Sequence, residues 1–200
     1  MKKITLFFAS LVLSFSAWSQ NAAPVLDLSD IPTTYPYELS EEDAAKVFGL
    51  TDLTVVMKVN TATLSGRMAL FCTSDPTQNA NTDAKPTDSH YVAYGSDGAN
   101  IAYLASCKSG DKFTVQSIPA NEEVVLAWVI NTTGNNYKAY VNAEKVKDGN
   151  FGTYEIASPK MVKDDYENAK IYLGGGVKLG NAAFETFNGT IMGVKVYKGV

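Results

Sequence analysis

The chain of 200 residues is poor in the side chains that do most covalent chemistry: one histidine, one arginine and two cysteines. Nucleophilic catalysis needs a base beside a Ser or Cys. The sole histidine, His90, opens a strand-like stretch directly after a polar segment, where a solvated imidazole is the simpler reading. One histidine also excludes zinc sets built on two or three of them. Arg67 is the only arginine, and no block of basic residues exists beyond the first three positions. A binder of phosphate backbones needs clustered Lys and Arg, so nucleic acid is not an expected partner. Helix signals are scarce as well. After residue 20 no apolar run approaches the roughly 20 residues of a membrane span.

What is present begins with a leader pattern. "MKK" is a basic n-region, "ITLFFASLVLSFSAW" an apolar h-region, and Ala17 and Ser19 are small residues at −3 and −1. This predicts a signal peptide over 1–19, cleaved before Gln20. The apolar run is short for an anchor helix, and no cysteine follows it to carry a lipid. The short lysine start reads as bacterial, so the expected location is periplasmic, cell-surface or secreted. Cleavage would remove 2 of 17 basic residues, leaving 15 against 21 acidic ones, a net charge of −6. The 181 residues that remain suit one domain with a sizeable core.

Cys72 and Cys107 would both reach an oxidising compartment, and each lies near the end of a predicted strand. Two readings stay open, a Cys72–Cys107 disulfide or two buried thiols.

The clearest helix is "LSEEDAAKVFGL". Ser40 can cap it, Asp43 completes an S-x-x-D box and Gly49 can end it, giving a helix over 41–48. "MVKDDYENA" (161–169) is a weaker second one. The rest reads as strand. "TDLTVVMKVN" alternates Leu53, Val55, Met57 and Val59 against Thr54, Val56, Lys58 and Asn60. Further strands are expected at 67–74, 90–96, 100–107, 112–118, 123–130, 137–142, 153–158 and 170–175, and from Gly189 onward. "SDGAN", "KSGD", "NTTGNN" and "KDGN" punctuate them as turns. Many short strands with almost no helix predict an all-β antiparallel sandwich with one or two short helices. The polar segment 75–89 reads as a long surface loop.

No predicted strand carries two acids on one face, which is what glycoside hydrolysis on a sandwich would require. The chain therefore reads as non-enzymatic. "SDGAN" (96–100) and "KDDYEN" (163–168) offer hard oxygen ligands for calcium, and the same clusters are ordinary turn chemistry. No cofactor is expected, with calcium as the one candidate. Aromatic residues are the main remaining resource: eleven Tyr, nine Phe and two Trp. Tyr and Trp faces can stack on sugar rings while their polar tips stay wet. Trp128 alternates with Leu126 and Ile130 and reads as core. Tyr137 and Tyr140 fall on opposite faces of one strand.

The order of these pieces resembles a concanavalin A-like, laminin G-like jelly roll. Within that group it is most similar to the lectin-like N-terminal domain of bacterial sialidases. The resemblance runs over residues 38–200. It rests on "LSEEDAAKVFGLTDLTVVMKVN", "HYVAYGSDGANIAYLA", "VVLAWVINTTGNNYKAYVNAEKV" and "IYLGGGVKLGNAAFETFNGTIMGVKVYKGV". It implies a non-catalytic carbohydrate-binding module whose partner is a glycan or glycoprotein. The implied surface is a loop end or concave face near Tyr91, Tyr103, Lys178, Asn181 and Glu185. Sialidase-type lectins hold the carboxylate of sialic acid with arginines. In this chain one of those positions is Lys178, and the strand "IAYLASCK" has neither the acid nor the arginine of the family's Glu-x-Arg. The alternative function on the same fold is a protein-interaction or adhesion module.

Three finer expectations follow. Residues 20–37 form a lead-in ahead of the domain. Ala143 disfavours a two-residue turn, so that hairpin should use a longer turn over 142–145. The last strand should pair near 51–60 and close the sandwich, with Met192, Val194 and Val196 inward, Ile191 out of phase and a bulge near Gly193. A chain that stops at its closing strand leaves no room in this sequence for a catalytic domain.

Overall fold

The computed structural model describes residues 22–61, 67–74, 91–97, 100–106, 115–117, 121–131, 133–150, 170–175, 178–179, 182–183 and 186–199. They form two six-stranded antiparallel sheets packed face to face, with one short helix. Sheet A runs in the order β1 (Leu26–Leu28), β14 (Gly189–Lys198), β3 (Asp52–Thr61), β8 (Glu123–Asn131), β9 (Asn136–Val141) and β10 (Glu144–Asn150). Sheet B runs β2 (Tyr37–Glu38), β11 (Lys170–Leu173), β4 (Arg67–Ser74), β5 (Tyr91–Asp97), β6 (Asn100–Ser106) and β7 (Val115–Ser117). A small hairpin, β12 (Lys178–Leu179) with β13 (Ala182–Ala183), stands apart. The expected two-sheet jelly roll is the fold.

The period-two pattern of β3 sets its core face. Leu53, Val55, Met57 and Val59 are all fully buried against Leu126, Trp128 and Ile130 of β8 and Met68, Leu70 and Phe71 of β4. Trp128 is core, as its alternation predicts. Tyr137 is buried and Tyr140 only partly, on the other face of β9. The helix α1 (Glu41–Val47) has Ser40 at its N-cap, where Ser40 Oγ accepts from Asp43 N at 3.2 Å. Ala44 and Val47 turn into the core, and Gly49 follows at φ +86°, a left-handed geometry that suits glycine.

The C-terminal strand pairs with β3 over its whole length, from Gly189↔Thr61 to Lys198↔Leu53. The bulge is present, but Met192 is its extra residue. Val194 and Val196 face inward as expected, whereas Ile191 is inward and Met192 partly exposed, the reverse of the expectation for those two. One inserted residue shifts the side-chain alternation, so residues on its two sides share a face only when the bulge is counted.

Three other expectations change. Residues 20–37 are more than a lead-in: β1 pairs with β14, β2 pairs with β11, and Leu26 is buried in the core. Strands of three and two residues are too short to show alternation in a sequence. The β9–β10 hairpin turns tightly on Asn142 and Ala143, with φ of +49° and +71°, and pairs Glu144 directly with Val141. "KDGN" (147–150), expected as a turn, continues β10. Its charged residues suit an edge strand. A Cβ at Gly149 would come within 2.6 Å of the Tyr137 hydroxyl, which accounts for a glycine inside a strand.

The predicted strand at 153–158, the second helix at 161–169, the loop at 75–89 and residues 1–21 lie outside the described residues.

Candidate functional site

The residues expected at the ligand surface divide between sheet B, which carries Tyr91 and Tyr103, and the β12–β13 hairpin, which carries Lys178. In β4, Phe71 joins the core, whereas Cys72 is buried outside that cluster. Cys72 pairs with Tyr172 on one side and Ala93 on the other, and Ala93 pairs with Ala105. Tyr91 lies two residues before Ala93 and opposite Ser74. Tyr103 lies two residues before Ala105 and opposite Gly95. The two candidate tyrosines therefore lie two rows from the Cys72 row, on opposite sides of it.

The hairpin carrying Lys178 leaves and rejoins the sandwich at one point. Gly174 N donates to Leu70 O at 3.0 Å, and Phe187 N donates to Gly174 O at 3.1 Å. The thiol of Cys72 donates to Gly175 O at 3.1 Å. Gly174, Gly175 and Phe187, which flank the hairpin in sequence, are thus tied to one another and to β4 at Leu70 and Cys72. Lys178 is three residues from Gly175, so an extended chain keeps it within about 11 Å of that anchor. Lys178 pairs with Ala183 on the hairpin. Asn181 and Glu185 lie outside the described residues.

Sequence reasoning missed the anchor itself. Gly174 and Gly175 have φ of +69° and +141°, and a Cβ on Gly174 would fall on the ring of Tyr35. Tyr35 in turn stacks at a tilt on Phe187, with ring centroids 5.9 Å apart and planes at 53°. The legible signal was the triple glycine of "LGGGV".

Of the two readings of the cysteines, the structure has Cys72 as a buried free thiol. Cys107 lies outside the described residues. Burial pushes the Cys72 thiol far above its ordinary value, only partly offset by a backbone hydrogen bond at Tyr172. It serves as a neutral donor, not as a nucleophile.

Among the described residues no three His, Cys, Asp or Glu side chains cluster to hold a metal. Of the two calcium candidates, 163–168 lies outside the described residues. The other is the β5–β6 hairpin, which closes with Asp97 paired to Asn100. His90 is also outside them. No helix among the described residues is long and apolar enough to cross a membrane.

Two antiparallel sheets in this strand order define a jelly-roll β-sandwich. No protein-family model matches the chain, and no curated protein matches its sequence. Solved structures do match. The CBM40 of the Ruminococcus gnavus IT-sialidase bound to α2,3 sialyllactose is similar over 89% of this chain and 94% of that one, with 19% identity and a TM-score of 0.68. Its complex with α2,6 sialyllactose gives 18% identity over the same shares and the same TM-score. A leech intramolecular trans-sialidase shows 17% identity and a TM-score of 0.61, over 90% of this chain but 26% of the enzyme. The chain thus has the fold of sialidase lectin-like domains.

Proposed function

We propose that the protein is an exported, non-catalytic carbohydrate-binding module. Its glycan site would lie where the Lys178 hairpin meets the Tyr91 and Tyr103 positions of sheet B. The observation that supports this reading is the Cys72–Gly175 and Gly174–Phe187 hydrogen bonds, which hold the residues flanking the Lys178 hairpin against sheet B. The Lys178 hairpin follows directly on these glycines, and sheet B carries Tyr91 and Tyr103, on a fold whose similar structures hold sialyllactose.

Charge chemistry narrows the ligand. An arginine grips a carboxylate through two parallel N–H bonds, whereas Lys178 supplies a single compact charge. Lys178 alone favours weak or neutral-sugar recognition over tight sialic acid binding. No acid pair on one strand supports hydrolysis, and no metal is required in this reading.

A glycan array carrying sialylated and neutral sugars tests the proposal, read with the wild type, Lys178→Ala and Tyr91→Ala. Saturable binding weakened by these substitutions supports it. Silence across the array overturns it in favour of a protein-adhesion role on the same fold.

A further inference from the structure

The Lys178 hairpin follows β11 through Gly174 and Gly175, and glycine sets no direction of its own. These two have φ of +69° and +141°, conformations open to glycine and strained for other residues. Such a joint is a hinge unless something outside it fills the space that side chains would occupy. Here the filler comes from the N-terminal segment. A Cβ on Gly174 would fall on the ring of Tyr35, and one on Gly175 would lie 3.4 Å from Pro36 Cβ.

Tyr35 meets the chain on both sides of the hairpin. Phe187 N donates to Gly174 O at 3.1 Å, so the residues before and after the hairpin form one joint. The Tyr35 ring lies against Gly174 and, at a tilt, against Phe187. Its hydroxyl accepts from Ile191 N at 2.8 Å. The backbone that follows is laid along β11: Tyr37 pairs with Leu173, Glu38 with Tyr172, and Leu39 N donates to Ile171 O at 2.9 Å. An ion pair between Lys170 and Glu38 joins the same strands. The ring is thus braced against sheet A through β14 and against sheet B through β11.

A binding segment on a free hinge loses affinity to the ordering it undergoes when ligand arrives. Holding the joint beforehand removes that cost.

We propose that Tyr35 is a positioning residue for the glycan site: its ring stiffens the Gly174–Gly175 joint and so fixes how the Lys178 hairpin is presented. This rests on the reading of that hairpin as part of the glycan site. Ring and hydroxyl have separable parts. The ring fills the joint, and the hydroxyl satisfies the backbone of β14.

Amide exchange at Leu179, Ala182 and Ala183 reads the hairpin with no sugar present, and titration with 3′-sialyllactose and lactose reads the site. Tyr35→Phe keeps the ring, so hairpin exchange and sugar affinity should stay within about twofold of wild type although stability falls. Tyr35→Leu removes the ring, so hairpin exchange should rise about tenfold and sugar binding weaken by about tenfold. Asn142→Ala, destabilised at the β9–β10 turn of sheet A, should leave the hairpin amides unchanged. Phe187→Leu takes away the ring's tilted partner and should act as Tyr35→Leu does. Circular dichroism shows which variants are folded, and Phe187→Leu decides the matter if Tyr35→Leu is not. Unchanged hairpin amides in the folded leucine variants would overturn the proposal. So would exchange that rises in Tyr35→Phe and Asn142→Ala in step with their lost stability, the mark of a merely structural role. Sugar affinity unmoved in a variant whose hairpin amides respond would overturn it too. A wild type that binds neither sugar, with hairpin amides responding as stated, would refute the glycan reading and uphold the control of the hairpin by Tyr35.

Discussion

The phenolic oxygen of Tyr35 accepts the main-chain N–H of Ile191 at 2.8 Å, joining two residues 156 positions apart. The bond sits where sheet A would otherwise have a bare edge. Strand β1 covers β14 only from Val194 to Val196, and Tyr35 satisfies the backbone just beyond it. The same ring lies against Gly174 and Phe187, so one side chain ties the N-terminal segment, the closing strand and the anchor of the Lys178 hairpin together. Burial raises the Tyr35 phenol above its ordinary value, partly countered by the Ile191 bond.

Tyr35→Phe keeps the ring and removes the acceptor. Leaving a part-buried N–H unmatched costs about 1–3 kcal/mol. Gly174→Ala should cost at least as much, since φ +69° strains any other residue and the new Cβ displaces Tyr35. Urea unfolding measures both, and the two losses should be strongly non-additive because they act on one contact. Additive losses would refute the shared wedge.

Cys72 should resist thiol reagents in the native state and react only on unfolding. With Cys107→Ser to isolate it, DTNB should label Cys72 quickly in concentrated guanidinium and very slowly in buffer. Its folded value is raised well above the ordinary thiol value near 8.5. Above that pH the unfolded chain releases the proton and the folded protein keeps it, so stability falls as pH rises. The slope attributable to Cys72 reaches at most about 1.4 kcal/mol per pH unit. Cys72→Ala should abolish that part of the alkaline loss, as read from unfolding midpoints between pH 8 and 11.

The Asn142–Ala143 turn offers a stabilising substitution. Ala143 sits at φ +71°, a conformation that glycine adopts freely, so Ala143→Gly should raise stability by about 0.5–1 kcal/mol. Asn142 does the opposite work. Its backbone N donates to Val125 O at 2.8 Å and its Oδ1 accepts from Val125 N at 2.9 Å. Asn142→Ala should therefore cost about 1–2 kcal/mol, which thermal melts would resolve.

Lys58 is buried on the outer side of sheet A with its ammonium 2.8 Å from Glu123. Glu123→Gln leaves that charge without its counterion, whereas Lys58→Met replaces it with a side chain of similar reach. The first should destabilise by more than the second, with Lys58→Met close to neutral. Equal losses would show that the pair contributes chiefly through packing.

The alternation of β3, the Ser40 cap and the Leu126–Trp128–Ile130 face were all legible, because side-chain period and capping are local properties. The Tyr91 and Tyr103 positions were legible as strand aromatics. Their register positions on either side of the Cys72 row were not, since register between strands depends on partners far apart in sequence. Bulges hid the phase of Ile191 and Met192 for the same reason.

The amino-acid pattern by itself determined that this chain forms an antiparallel sandwich, since alternating apolar residues between turns can bury only one face. Tertiary structure decided which segments complete it. Residues 25–39 edge both sheets, Ala143 accepts a left-handed turn because Val125 holds Asn142, and Gly174 is required because Tyr35 fills the space a Cβ would need. Each is a contact between distant residues, whose energy exceeds the local preference it opposes.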